Sequence, residues 1–316
     1  MRIVYVDAGE NIKKLLTKEL ITPLQQNSNF EIFLGTPFTK EEALQRVKDA
    51  DGILLGRNLS NEIIEQCEKL KIISFVGYGV KNYLDIDFIR NRGITITNTP
   101  GYGDNAVAEH ALTLLLSLTK NMVRNHTRLQ KDIWNQVDNS LEVRGKTIGL
   151  VGIGSIGERM AELCKALGMN VICWTFHPNK QRSKRLGIRF VNLDELFSQS
   201  DFVSLHLPYT DQTKGMIGER ELSKMKQGSL FINTARAELV ETDVLIKYLS
   251  NGKIAGAGLD DFDEEPLSEN DRLLKLDNVI LSPHVAFNTP ESVKNMLKIA
   301  INNIVQFMKG TPTNIV

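Results

Sequence analysis

Short apolar runs rich in β-branched residues alternate with segments of helical spacing along almost the whole chain. Strand-like runs fall at Arg2–Val6, Glu31–Leu34, Gly52–Leu55, Ile72–Val76 and Ile94–Asn98, and then at Thr147–Val151, Val171–Trp174, Phe202–His206, Leu230–Asn233, Ile254–Gly258 and Val279–Ser282. Helical patterns fill most of the gaps, among them Glu41–Lys48, Asn61–Cys67, Ser155–Leu167 and Thr242–Leu249. This alternation predicts α/β structure with doubly wound parallel sheets covered on both faces. Two helical stretches are longer. Asp104–Arg128 is apolar over most of its length, which suits a crossover between lobes or a helix at a subunit interface. Glu291–Met308 carries Val293, Met296, Leu297, Ile301, Ile304, Val305 and Met308 at helical spacing and is expected to return the chain to its first lobe. At 316 residues the chain exceeds one ordinary core. Two domains are expected, residues 1–100 with 285–316 and residues 101–284, with a cleft between them for a small molecule.

The run KTIGLVGIGSIGERMAELCKALGMNVICW, from Lys146 to Trp174, is a complete β–α–β unit around Gly152-x-Gly154-x-x-Gly157. Gly152 permits the tight turn, Gly154 lets the backbone approach a diphosphate, and Gly157 lets the helix pack closely on the sheet. The exposed N–H groups at Ser155 and Ile156 and the positive end of the helix dipole favour an anion there. Between a strand and a helix, with a second strand following, the motif predicts a bound dinucleotide. The second strand ends without the usual carboxylate for the adenosine ribose: eighteen residues past Gly157 stands Thr175. A hydroxyl does not repel a 2′-phosphate. His177, Lys180, Arg182, Lys184 and Arg185 follow at once, either as positive charge for that phosphate or as a solvated surface helix, so NAD and NADP both stand.

Composition narrows the partners. Lys and Arg number 38 against 38 Asp and Glu, which leaves no electrostatic footprint for nucleic acid. No apolar run reaches membrane-spanning length, and MRIVYVDAG begins as a strand rather than a signal peptide. Cys67, Cys164 and Cys173 make no disulfide framework, and no CxxC pair or His/Cys cluster suggests a metal. A cytoplasmic protein with no metal, nucleic-acid or membrane partner is expected.

Three polar residues stand at strand ends beyond the glycine turn: Arg236 in FINTARAELV, Glu265 in GLDDFDEEPL and His284 in NVILSPHVAFNT. Hydride transfer to a 2-oxo acid uses one of each type. A guanidinium grips the substrate carboxylate with two prongs, and an imidazolium delivers a proton to the developing alkoxide. A carboxylate beside that imidazole orients it and favours its charged form. Of the other histidines, His110 and His126 fall on the long helix and His177 in the possible cofactor loop, while His206 ends a strand where it would line the adenine side.

With these residues in place the chain resembles the D-isomer-specific 2-hydroxyacid dehydrogenases, a group that includes phosphoglycerate dehydrogenases, hydroxypyruvate/glyoxylate reductases and D-lactate dehydrogenases. The matching stretches, in order, are NTPGYGDNAVAEHALTLLLSL, GLVGIGSIGERMA, DFVSLHLPYTDQTKGMIG, FINTARAELV, GLDDFDEEPL and LSPHVAFNT. The resemblance implies that Arg236 binds substrate, His284 gives and takes the proton, and Glu265 is its charge partner. It also implies that the backbone N–H groups of Val76, Gly77, Tyr78, Gly79 and Val80 hold the substrate acid, and that Asp260 lies near the nicotinamide carboxamide. Pro208, Thr213, Thr234 and Ala235 would join the cofactor contacts. Both lobes would be Rossmann- or flavodoxin-like, and two copies would form a homodimer around the long helix. Thr175 and Ala237 depart from the family pattern, the second where glycine is common after the arginine.

The substrate side chain stays open. Arg57 resembles a phosphate-meeting arginine of phosphoglycerate dehydrogenases, which gives that reading a slight lead, with Lys81 as a further nearby cation. GYGDNAVAEHA looks equally like glycerate dehydrogenases, that is, hydroxypyruvate or glyoxylate reductases. A rival class, the NAD(H)-gated corepressors, shares the fold and site, but no interaction motif or disordered tail in this sequence suggests it.

Overall fold

The computed structural model describes residues Met1 to Val316, apart from the side chain of Asn11. It forms two compact units, Met1–Gly103 with Asn288–Val316, and Asp104–Phe287. In the first unit β1 (Arg2–Ala8), β2 (Asn29–Leu34), β3 (Gly52–Leu55), β4 (Ile72–Phe75) and β5 (Thr95–Thr97) form a sheet in the order β2-β1-β3-β4-β5. In the second, β6 (Thr147–Val151), β7 (Asn170–Trp174), β8 (Arg189–Phe190), β9 (Phe202–Leu205), β10 (Ser229–Asn233), β11 (Ile254–Leu259) and β12 (Val279–Leu281) run β12-β11-β10-β9-β6-β7-β8. The pairings within both sheets are parallel. These are the flavodoxin-like and Rossmann orders, so the expected doubly wound architecture is the observed one.

The strands are apolar throughout because neighbouring side chains point to opposite faces and each face meets its own core. In the first unit Val4, Val6, Ile53, Leu55 and Ile73 enter one cluster, while Ile3, Tyr5, Leu54 and Ile72 enter the other. In the second unit Val151, Val203, Leu205 and Phe231 lie on one side, and Ile148, Leu150, Phe202 and Ile232 on the other. Each such side chain contributes about 1.5–3 kcal/mol on leaving water. The last helix, Pro290–Met308, starts where Thr289 accepts from the Ser292 N–H, with proline in its first turn. Its stripe of Val293, Met296, Leu297, Ile301 and Ile304 packs on the Ile3–Tyr5 face of the first sheet.

The long apolar stretch after residue 104 is not one helix. It forms Asp104–Thr119 and then Met122–Leu129, because Asn121 takes a left-handed conformation (φ 52°) that ends the backbone ladder. β8 is a two-residue strand, too short for any periodicity to announce. Among the described residues, no helix is long and apolar enough to cross a membrane.

Candidate active site

β10, β11 and β12 are neighbours and parallel, so the loops leaving their carboxyl ends emerge along one edge of the second sheet. Arg236 follows β10, Asp260, Asp261 and Glu265 follow β11, and Ser282 and His284 follow β12. The topology therefore brings together residues that the sequence separates by 48 positions, from Arg236 to His284.

His284 Nδ1 lies 2.9 Å from Oε2 and 3.1 Å from Oε1 of Glu265, and Glu265 Oε1 also accepts the Phe262 N–H at 3.2 Å. Asp261 lies between the histidine and the arginine. Its Oδ1 accepts the Ala237 N–H at 2.8 Å, and its Oδ2 is 3.3 Å from Arg236 Nη1 and 3.5 Å from His284 Nδ1. Burial pushes the Asp261 carboxyl above the ordinary carboxylate range, and Glu265 adds to that push, while Arg236, the Ala237 N–H and His284 oppose it. The Arg236 loop is itself fixed: Asn233 accepts the Ala235 N–H and donates to the Arg236 carbonyl. Asp261, Glu265 and His284 offer ligand-type atoms within 4.8 Å of one another. Those atoms pair among themselves and with Arg236, Ala237 and Phe262, so the group reads as an acid–base cluster.

His284 holds a left-handed backbone (φ 51°), which costs energy in a residue other than glycine. Asp260 holds it there. Its Oδ1 accepts from Ser282 Oγ at 2.5 Å and from the Val285 N–H at 3.0 Å, and its Oδ2 accepts the Ala286 N–H at 2.7 Å. His110 extends the chain, with Nε2 2.8 Å from Ser282 Oγ. Asp260, expected beside a nicotinamide, is thus buried beneath the histidine loop and already bound by that loop.

The glycine turn lies at the switch point of the same sheet, between β6 and its neighbours β7 and β9. A Cβ on Gly152 (φ 104°) would meet the His206 carbonyl at 2.5 Å, and one on Gly157 would meet the Gly152 carbonyl at 2.5 Å. A Cβ on Gly154 would meet nothing within 4 Å. Two glycines are thus required by packing, while the third faces open space at the N-terminus of Ser155–Ala166, where Ser155 is exposed and Ile156 half-buried. That cradle fits a diphosphate. Along the same strand ends, Thr234 Oγ1 and His206 Nδ1 are buried with no partner among the described residues. His206 packs against the turn, bonds Ser204 through Nε2 at 3.0 Å, and is pushed down to about 4 by burial.

Other expected cofactor contacts have mixed positions. Pro208 is exposed, whereas the Thr213 hydroxyl is engaged with the Pro208 carbonyl and the Thr210 N–H. Thr175 accepts the His177 N–H at 3.4 Å. The basic run beyond it is a helix capped by Asn179. Arg182 and Arg185 both pair with Glu158, at 3.2 and 2.6 Å, and Arg182 also donates to the Ile153 carbonyl beside the glycine turn.

In the first unit Arg57 is exposed after β3, next to Gly56, whose N–H donates to Asp7 at 3.0 and 3.2 Å. In the loop after β4 the Val76 and Val80 N–H groups are engaged with the Leu55 and Tyr78 carbonyls. Among the described residues, no backbone acceptor takes the N–H groups of Gly77, Tyr78 and Gly79. Sequence reasoning missed Asp261, Ser282 and His110. Asp261 is hidden in the acidic run of residues 260 to 265, and its one signal is its place between apolar Leu259 and Phe262 at a strand end.

A Rossmann sheet with an open glycine cradle and an Arg–Asp–His–Glu cluster along one edge defines a dinucleotide-binding α/β oxidoreductase. The family model of the D-isomer specific 2-hydroxyacid dehydrogenase NAD binding domain matches residues 112–286, and the chain belongs to that family. It is 36% identical over 288 residues to the glyoxylate reductase of Korarchaeum cryptofilum, covering 89% of this chain and 86% of that one. It is 34% identical over 300 residues to the D-3-phosphoglycerate dehydrogenase of Archaeoglobus fulgidus, covering 94% of this chain but 56% of that longer protein. Among solved structures, D-2-hydroxyisocaproate dehydrogenase superposes with a TM-score of 0.88 at 29% identity, covering 100% of this chain and 99% of that one.

Proposed function

We propose that this protein interconverts a 2-hydroxy acid and its 2-oxo acid, with Arg236, Glu265 and His284 as the working residues. The observation that carries the reading is the convergence of guanidinium, imidazole and carboxylates on the edge that also bears the glycine cradle. A bound nicotinamide would supply or accept the hydride. The chain's own part is positional and acid–base. Arg236 grips the substrate carboxylate and polarises the carbonyl. His284, tied through Nδ1 to Glu265, presents Nε2 to the substrate oxygen, giving a proton in reduction and taking it in oxidation. Glu265 orients the ring and balances the imidazolium. Gly77, Tyr78 and Gly79 are assigned to the substrate acid, and residues 101–284 and 1–100 with 285–316 to cofactor and substrate respectively. A corepressor-like role has no supporting feature here.

Either nicotinamide dinucleotide suits the cradle. Thr175 leaves room for a 2′-phosphate, and Arg182 and Arg185 share the single carboxylate of Glu158, so one negative charge faces two positive ones and NADP stands beside NAD. For the substrate, exposed Arg57 favours a phosphorylated acid such as that of phosphoglycerate dehydrogenases. The alternative is an unphosphorylated acid, hydroxypyruvate or glyoxylate, for which exposed Arg57 would be a solvated surface group. Oxidation of NADH and of NADPH by phosphohydroxypyruvate, hydroxypyruvate, glyoxylate and pyruvate tests the whole reading. Turnover with none of them would remove it.

Exposed Met122, Val123, Leu129, Ile133, Trp134 and Val137 form an apolar segment that supports a homodimer. Sedimentation should give twice the chain mass, and Trp134→Glu should shift it towards the monomer. Three free buried thiols fit a reducing, cytoplasmic setting.

A further inference from the structure

Asp261 differs from the acids that follow it in its run. Asp263, Glu264 and Glu265 are exposed, whereas Asp261 is buried, with 6% of its side chain accessible. It makes three contacts in three directions: to the Ala237 N–H, to Arg236 Nη1 and to His284 Nδ1. The Arg236 side chain also donates to the carbonyl before it, that of Ala235, at 2.5 Å. A flexible guanidinium held only by its own neighbouring peptide would sample many rotamers, and each would have to be surrendered on gripping a substrate.

We propose that Asp261 is a positioning residue that joins Arg236 and His284 into one preorganised unit, so that the substrate's carboxylate and its reacting oxygen are registered together. This rests on the reading of Arg236 and His284 given above. The groups facing the imidazole are Glu265 and Asp261, with Phe287 edge-on at 6.2 Å. Arg236 is reached through Asp261, and the neighbouring Asp260 is occupied by Ser282, Val285 and Ala286. Among the described residues, Asp261 is therefore the acid in contact with both partners.

Asp261→Asn keeps the shape and the acceptor for the Ala237 N–H but turns the other end into a donor that faces two donors. The KM for the 2-oxo acid should rise about tenfold, the range expected when a hydrogen bond to a charged group is lost, while the KM for the dinucleotide stays put. A purely structural acid would lower thermal stability without splitting the two Michaelis constants, and that result overturns the proposal. Should the variant not fold, a crystal structure of the parent enzyme with oxalate decides: Asp261 must keep hydrogen-bond reach of both Arg236 and His284, and separation from either overturns it. Failure of the underlying reading looks different, because the parent enzyme would then turn over no 2-oxo acid.

Discussion

Nδ1 of His284 faces both oxygens of Glu265, at 2.9 and 3.1 Å, so the ring is held by its inner nitrogen and only Nε2 can reach a substrate. A proton carrier held this way contributes typically ~10²–10⁴ in rate. His284→Ala should therefore lower turnover by that order with dinucleotide affinity little changed, and Glu265→Gln should cost less because the ring remains. Steady-state kinetics of both variants check this. Near-parent turnover in His284→Ala would take the histidine out of the reaction.

Arg236 is half-buried, with a planar fork that one ammonium cannot copy. Arg236→Lys should raise the KM for the 2-oxo acid and lower kcat together. An unchanged KM would mean that the substrate carboxylate is bound elsewhere.

The glycine turn gives two opposite expectations. Gly154→Ala meets nothing within 4 Å, so the thermal midpoint should hold while NADH affinity falls, the methyl group occupying the space left for the diphosphate. Gly152→Ala would place a Cβ 2.5 Å from a backbone carbonyl at φ 104°, so it should lose stability before any ligand is added, by roughly 1–3 kcal/mol for the backbone conformation alone. Thermal melts with and without NADH separate the two, and equal behaviour would contradict the cradle.

How far the sequence revealed this depends on whether a residue's job is set by its neighbours in the chain or by neighbours in space. The strands were legible because burial on both faces leaves a continuous apolar run, and the glycine cradle because turn, approach and packing fall within six residues. Arg236, Glu265 and His284 stood out as polar residues at strand ends. Asp261 did not, because burial at the head of an acidic run whose later members are exposed has no local signature, and its partners lie 25 residues before and 23 after it. The break at Asn121 was hidden for a related reason. Apolar spacing continues through it, and a single left-handed residue changes the direction of the chain without changing the pattern.

Asp260 satisfies three donors of the loop that holds His284 at φ 51°. Removing it leaves Val285 and Ala286 N–H groups without their acceptor, and each buried donor so stranded costs about 1–3 kcal/mol. Asp260→Ala should depress both the thermal midpoint and kcat, the second because the histidine relaxes from its left-handed backbone. A variant with parent-like stability would show that the loop is held by something else.

His206 gives a prediction in pH. Burial lowers it to about 4 from an ordinary 6.5, so the folded protein keeps it neutral where the unfolded chain would take up a proton. Its contribution is then complete above pH 6.5 and is lost as the pH falls towards 4. The span of about 2.5 units corresponds to roughly 3 kcal/mol at the acid end. His206→Asn removes this term but leaves the carboxylates that also titrate in acid. Between pH 7 and pH 4 the parent should therefore lose more unfolding free energy than the variant, measured by urea denaturation at each pH. Parallel curves would mean that the imidazole is solvated in the folded state, and the packing of His206 beneath the glycine turn would have to be abandoned.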